Sequence, residues 1–188
     1  MKNPPKPKKI QKKLVNHGDE RIDNYYWLRD DKRQNKSILN YLKQENKYTD
    51  QWFKENKVNS KKIFERYKES LPKSEKSVET SIDGVSYYFQ SSISTEYNKY
   101  YQIKNKRKKL ILDVNKLAKN KKYYEISSVF PSRNHKHLAY CEDINGRRDF
   151  HIVIKDLKKN KIIEKNKIPS TGSLIWNKKS SGYFYLKK

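Results

Sequence analysis

Cysteine, glycine and long apolar segments are scarce in this sequence, and each scarcity excludes a class of protein. A single cysteine, Cys141, rules out an intramolecular disulfide, and its apolar neighbours predict a buried, inert thiol. No run of about 18 apolar residues occurs, so the sequence predicts no membrane-spanning helix. The five glycines lie far apart, and no G-x-S-x-G motif, the turn that presents a nucleophilic serine, is present.

Arginine and acidic residues are also few, whereas lysine is abundant. The 45 Lys and Arg residues face 21 Asp and Glu residues, which gives a net charge of +24, yet only eight of the basic residues are arginine. Arginine is the side chain suited to bidentate contacts with bases and phosphates, and the lysines are scattered through every segment. We therefore interpret the charge as a solvated surface without a nucleic-acid partner. A stand-alone basic module that binds RNA or another polyanion is the alternative.

Aromatic residues compensate for a low apolar content. Hydrophobic residues make up 34% of the chain, but they include 15 Tyr, 6 Phe and 3 Trp, each of which buries about 150–250 Å². The N-terminal segment MKNPPKPKKIQKK is basic and lacks the apolar core of a signal peptide, which predicts a cytoplasmic protein. Its prolines predict an extended arm over residues 1–13.

Apolar periodicity predicts two helices before Pro72. Over residues 37–56, large apolar side chains recur at steps of three and four, and Asn35 or Ser37 can cap the start. A second helix is predicted over 60–70 and ends before the proline. One apolar face of each helix requires burial against another element.

After the proline the pattern changes to short strands separated by turn residues. An Asp-Gly pair at 83–84 is typical of a hairpin turn. The predicted strands cover residues 77–82, 85–91, 99–105, 109–114, 123–130, 137–142, 150–157, 161–168, 174–177 and 183–186. Segment 170–173 is expected to be a loop.

A weak internal repeat runs through these strands. Residues 128–140 resemble residues 173–185, and the offset of 45 residues is the period of a four-stranded propeller blade. An antiparallel sandwich is the alternative. The chain ends inside the second copy, whereas a propeller closes with about 4–8 blades. The expectation is an incomplete propeller, from a truncated protein or a gene fragment.

Residues able to carry out chemistry are sparse. The four histidines occur without an H-E-x-x-H motif or a Cys/His pairing, so no catalytic residue, cofactor site or metal site is predicted. Glu142 and Asp143 end a predicted strand just before an Asn-Gly turn. The simpler interpretation is a solvated hairpin tip. The alternative is an acidic rim that faces either basic peptides or the arginine of a partner domain.

Three segments together resemble the oligopeptidase B branch of the prolyl oligopeptidase family of serine peptidases. Residues 17–31, HGDERIDNYYWLRDD, are similar to the opening signature of that family. Residues 41–50, YLKQENKYTD, resemble a helix that follows it. Residues 138–157, which begin LAYCEDINGRRDF and end in KDL, resemble its first full blade.

This resemblance implies a mainly β fold with an N-terminal helical extension over residues 1–72, followed over 73–188 by the opening blades of an incomplete seven-bladed β-propeller. Family members carry a C-terminal α/β-hydrolase domain with a Ser-Asp-His triad, which is expected to be missing here and to be the partner of helix 37–56. The family cleaves short peptides after Lys or Arg, and its propeller excludes large folded proteins. The resemblance therefore implies a gating portion that is not catalytic alone.

Overall fold

The computed structural model describes residues 3–188 and divides into two compact units. The first unit ends at Glu69 and the second runs from Ser70 to Lys188. The fold is mainly β with few helices, and its sheets do not close into a ring within the described residues. The predicted fold class is confirmed. Among these residues, no helix has the length and apolar character needed to cross a membrane.

A β-hairpin that the sequence does not predict begins at the end of the predicted arm. Strand β1, Lys12–Asn16, pairs antiparallel with β2, Asp19–Asp23. The connecting residues His17 and Gly18 have φ values of 50° and 84°, the left-handed conformation that a two-residue hairpin turn requires. The strand pairing of Lys12 and Lys13 is an addition that the sequence does not predict. The extended arm stays a prediction, and its first two residues lie outside the described part.

Trp27 ties the arm to the chain that follows the hairpin. It lies in a 3₁₀ turn, Tyr26–Leu28, and its Nε1 donates a hydrogen bond to Lys8 O at 2.8 Å. Its ring centroid lies 6.3 Å from that of Tyr41. The side chain is half-buried. Its two contacts join the arm, through Lys8, to Tyr41 within this unit.

The two predicted helices are observed close to their predicted bounds. Helix α1, Lys36–Glu55, begins after Asn35, whose Oδ1 accepts hydrogen bonds from the amides of Ser37 and Ile38. Helix α2 spans Ser60–Ser70. Both helices leave large apolar side chains at least 40% exposed, namely those of Leu42, Trp52, Phe53, Ile63, Phe64 and Tyr67.

The second unit contains one sheet for each of two complete blades and a two-stranded sheet that begins a third. The first blade comprises β3 (Ser74–Lys76), β4 (Thr80–Ile82), β5 (Val85–Ser92), β6 (Lys99–Lys104) and β7 (Arg107–Asp113). The second comprises β8 (Glu125–Pro131), β9 (His137–Asp143), β10 (His151–Asp156) and β11 (Lys161–Lys165). The third sheet comprises β12 (Ser170–Trp176) and β13 (Tyr183–Lys187). All pairings are antiparallel.

The central strand β9 is buried on both of its faces, because successive side chains of a strand point to opposite sides. Leu138 and Tyr140 belong to a core cluster with Tyr87 of the first blade. Ala139 and Cys141 belong to a second cluster with the third sheet. Burial on both faces explains why this strand is a continuous apolar run rather than an alternating one.

Two local predictions are corrected by the structure. Segment 170–173, expected as a loop, forms the start of β12 and contains a register shift between Ser170 and Leu174. A short helix, α3 (Val114–Ala118), replaces the end of a predicted strand, because the Asp113 side chain accepts a hydrogen bond from Asn115 N and caps the turn. The repeat of residues 128–140 and 173–185 is confirmed as the hairpins β8–β9 and β12–β13.

Candidate functional site

Glu142 and Asp143, the two carboxylates that the sequence singles out, lie at the end of β9 and inside the second blade. Their residues are only 4% and 0% exposed. The interpretation as a solvated hairpin tip is therefore wrong for both side chains, although the loop beyond them, residues 144–148, is exposed. Burial on this scale requires that each carboxylate be hydrogen-bonded or paired.

Glu142 is the centre of a charge network built from three elements. Tyr124 Oη donates to Oε2 at 2.6 Å, and Lys165 Nζ of β11 donates to Oε1 at 2.5 Å. Lys121 Nζ lies 3.7 Å from Oε2 and 3.8 Å from the centroid of the Tyr124 ring. Burial opposes the charged form of Glu142, but these hydrogen bonds and the two lysines outweigh it and lower its pKa. Burial, together with the same carboxylate, raises the pKa of Tyr124.

Glu142 therefore gives the fold a defined dependence on pH. Because the pKa of Glu142 is lower in the folded protein than its ordinary value of 4.5, its contribution to stability is present above that value and is lost as pH falls through the lowered pKa. We expect Glu142→Gln to reduce the free energy of unfolding at pH 7 by about 1.5–3 kcal/mol, the usual contribution of a hydrogen bond to a charged group. Urea unfolding of both proteins between pH 7 and pH 2 measures this difference.

At low pH the two curves should converge, since protonated Glu142 resembles glutamine in charge. Glu164→Gln is the matched control, because Glu164 lies on the exposed strand β11 and accepts its hydrogen bond from Tyr183 at the surface. A difference between wild type and Glu142→Gln that stays constant over the whole pH range would contradict the assignment.

Asp143 organises the loop that follows it. Its Oδ1 accepts from the amides of Asn145 and Gly146 at 2.9 and 3.1 Å, and its Oδ2 accepts from Arg148 N at 2.7 Å. Gly146 and Arg148 have φ values of 72° and 56°, so the backbone of this loop relies on an internal acceptor. A carboxylate that receives three backbone hydrogen bonds acts as a local scaffold.

Both carboxylates are thus engaged by groups of this chain, and their polar atoms are satisfied. Within residues 3–188, no group of His, Cys, Asp and Glu side chains has the arrangement of a metal site. The suggestion that Glu142 and Asp143 form an acidic rim stays a prediction. In the described part of the molecule, the basic groups nearest to Glu142 are Lys121 and Lys165.

Cys141 and three of the histidines, the remaining candidates for chemistry, are buried or engaged in contacts within the fold. Cys141 is fully buried, and burial raises the pKa of its thiol to about 11, so the prediction of an inert thiol agrees with its environment. His135 Nδ1 bonds to Tyr87 Oη at 2.9 Å across the first two blades, and His137 stacks on Trp176. His151 Nδ1 lies 3.1 Å from Asn166 O. These histidines lie in separate contacts and do not combine into a catalytic arrangement.

Contacts between blades include polar interactions that the sequence pattern does not predict. Arg133 of the second blade pairs with Asp83 of the first at 3.2 Å. Ser127 Oγ donates to Gly172 O at 2.6 Å and Trp176 Nε1 donates to Phe130 O at 3.0 Å, which joins the second blade to the third sheet. The 45-residue repeat is the one sequence signal that brings Ser127 and Gly172 to equivalent positions.

An apolar cavity of about 810 Å³ is lined by residues of the first blade and of strands β8 and β12. Its lining includes Val78, Phe89, Val129, Phe130, Ile175 and Trp176. The lining carries no acid–base pair, and its one charged residue, Arg133, is engaged by Asp83. Such a surface can pack against apolar groups but offers no chemistry for bond cleavage.

The comparison with known proteins agrees with this succession of blades. A model of the N-terminal β-propeller domain of prolyl oligopeptidase matches residues 4–188. The chain belongs to the prolyl oligopeptidase family. The matched domain agrees with the sheets described above, which follow one another as blades in chain order.

Relatives of this prolyl oligopeptidase-family chain are much longer proteins. Dipeptidyl aminopeptidase BI of Pseudoxanthomonas mexicana is 30% identical over 190 residues, an alignment that covers 92% of this chain and 26% of the relative. Protease 2 of Moraxella lacunata is 28% identical over 90% of this chain and 26% of its own length. The chain thus spans about a quarter of the length of the relatives it matches.

Solved structures show the same fold at lower identity. Oligopeptidase B from Leishmania major superimposes with a TM-score of 0.83 and 20% identity, covering 99% of this chain and 29% of that chain. Oligopeptidase B from Trypanosoma brucei, solved with covalently bound antipain in a closed form, gives a TM-score of 0.79 at 21% identity, with the same two coverages of 99% and 29%. The likeness establishes the architecture of the N-terminal portion.

Proposed function

We propose that this chain is the propeller-side portion of a serine oligopeptidase that cleaves short peptides after Lys or Arg. Its role is to gate access to a C-terminal α/β-hydrolase domain, and it has no catalytic activity alone. We keep 1–72 as the N-terminal extension and 73–188 as the opening blades, with a cytoplasmic location as the accompanying prediction. The observation that carries the proposal is the match of residues 4–188 to the family's propeller domain.

The third sheet supports the proposal because one of its faces is apolar and exposed. Ile175, Phe184 and Leu186 lie on one side of β12 and β13, and each is 72% exposed. On the other side, Leu174 and Tyr185 pack into the core with the second blade. A sheet buried on one face only leaves an apolar surface that is prone to association, and in a propeller the next blade covers that surface.

Substrate selection by charge has to come from the hydrolase domain. The chain has a net charge of +24, which repels basic peptides at long range, and Lys121 and Lys165 already neutralise Glu142. The propeller portion is therefore suited to exclusion by size, and a pocket for a Lys or Arg side chain requires acidic groups supplied by the partner domain.

A chimera tests the gating role. The 26% of dipeptidyl aminopeptidase BI that aligns with this chain is replaced by residues 1–188, and hydrolysis of a short Arg reporter peptide is compared with hydrolysis of a folded protein. We expect residues 1–188 alone to be inactive. The chimera should cleave the reporter and spare the folded protein, because closed blades exclude it by size.

Two variants of the chimera separate packing from non-specific effects. Phe184→Glu places a charge on the face proposed to receive the next blade, and it should remove size exclusion or activity. Ile163→Glu is the matched control, because Ile163 is 53% exposed on β11, the last strand of the second blade. Equal behaviour of the two variants, or inhibitor-sensitive hydrolysis by residues 1–188 alone, would contradict the proposal.

The net charge is the observation that favours the alternative of RNA binding. Single-stranded nucleic acid would also require exposed ring faces on which bases can stack. Tyr101 instead stacks on Tyr88 with ring centroids 5.1 Å apart, and Lys108 Nζ lies 4.1 Å from the centroid of the Tyr101 ring. The Tyr101 ring is thus engaged by groups of the same blade, which supports the peptidase proposal over the alternative.

A further inference from the structure

Two lysines cross between the first and second blades without an acidic partner. Lys109 Nζ of β7 donates to Leu157 O, just after β10, at 2.5 Å. Lys155 Nζ of β10 donates in return to Ile111 O of β7 at 2.8 Å. Each ammonium group therefore reaches a backbone carbonyl of the opposite blade, so the two hydrogen bonds join the blades in both directions.

The acidic residues closest in sequence to these contacts are engaged elsewhere. Asp156, which follows Lys155, accepts hydrogen bonds from the amides of Lys158 and Lys159 at 2.8 and 2.7 Å. Asp113 accepts from Asn115 N at 3.2 Å. Among the ion pairs of the described residues, none includes Lys109 or Lys155.

The surroundings of Lys155 disfavour its positive charge. Burial lowers its pKa, and the charge of Lys109 lowers it further. Charges that are partly removed from water are normally paired. An ammonium group carries three N–H donors, and one donor of each lysine is used by a carbonyl. The remaining four N–H groups and two positive charges are available to an acceptor.

We propose that Lys109 and Lys155 form a binding site for a small doubly charged oxyanion of the phosphate type, which bridges the first and second blades. Phosphate supplies two negative charges and several acceptor oxygens, so it offsets the repulsion between the two ammonium groups and accepts hydrogen bonds from their spare donors. Access is open from the side of Lys109, whose side chain is exposed. Binding to the folded state alone raises its stability by mass action.

Thermal unfolding of the 188-residue chain in increasing inorganic phosphate, at constant ionic strength set with chloride, tests this site. The unfolding temperature should rise and then saturate, and Lys155→Met or Lys109→Met should weaken the apparent affinity roughly tenfold or more. Lys161→Met is the matched control, since it removes one charge from an exposed position of the same blade, and it should leave the affinity almost unchanged.

Isothermal titration calorimetry with inorganic phosphate gives a second measurement that does not depend on how a variant unfolds. One site per chain that is lost in either methionine variant supports the proposal. Three results would overturn the proposal and indicate a non-specific ion effect only. They are an equal thermal response in Lys155→Met and Lys161→Met, a thermal response that does not saturate, and no heat of binding to wild type. The outcome is independent of whether the chain gates a peptidase.

Discussion

Gly172→Ala should destabilise the propeller portion more than any other single methyl addition at its glycines. The φ value of Gly172 is 91°, a conformation that costs an L-residue about 1–2 kcal/mol. A methyl group there would also lie 2.7 Å from Ser127 Oγ and 2.8 Å from Phe150 Cδ2. Overpacking of this kind costs about 1–3 kcal/mol. We therefore expect the free energy of unfolding to fall by about 2–5 kcal/mol in urea titrations.

Gly84→Ala separates the two contributions. Gly84 has a φ value of 82° in the turn between β4 and β5, and a methyl group there has no heavy atom within 4 Å. The free energy of unfolding of Gly84→Ala should therefore fall only by the conformational cost of about 1–2 kcal/mol. An equal effect of the two substitutions would show that β8 and β12 move apart to accept the methyl group.

Gly172 also illustrates where sequence reasoning fails. Segment 170–173 is polar and contains a glycine, which favours a loop by composition. In the structure Gly172 allows β12 to approach β8 closely, and Ser127 Oγ reaches its carbonyl oxygen. A glycine within a strand often marks such an approach, and the 45-residue offset to Ser127 was the available clue.

Elements whose signals are local could be predicted well. Helix α1 begins within one residue of its predicted start, because Asn35 provides a cap and apolar residues recur at helical spacing. Helix α3 was missed, since its five residues form one turn and carry too little periodicity to identify. The β1–β2 hairpin was missed because proline and lysine dominate the segment before it, although His17-Gly18 is a reasonable turn pair.

The candidate site depends on contacts between distant residues, which composition does not reveal. Glu142 and Asp143 follow an apolar run and precede an Asn-Gly turn, which favours an exposed tip. Their burial follows from Lys165 on a later strand and from the folding of the loop onto Asp143. Likewise, nothing near Lys109 or Lys155 in the sequence identifies them as partners across two blades.

Asp143→Ala is the second substitution with a large expected effect. Asp143 is 0% exposed, and the substitution removes the carboxylate that accepts three backbone hydrogen bonds. Water can reach part of the exposed loop and replace some of them, so we expect a loss of about 2–4 kcal/mol rather than the sum of three buried bonds. Urea unfolding and hydrogen exchange at the amides of Asn145, Gly146 and Arg148 measure it.

The conservative change Asp143→Asn tests the geometry behind this expectation. Its remaining carbonyl oxygen can still accept from Asn145 and Gly146, but its NH₂ group would face the Arg148 amide, which is also a donor. Exchange should therefore accelerate at Arg148 far more than at Asn145.

Asp149→Ala is the control from the same loop, since Asp149 pairs with Lys188 near the surface, and it should leave exchange at all three amides unchanged. Uniform acceleration in Asp143→Asn would mean that the loop opens as a unit and that the carboxylate acts through its charge.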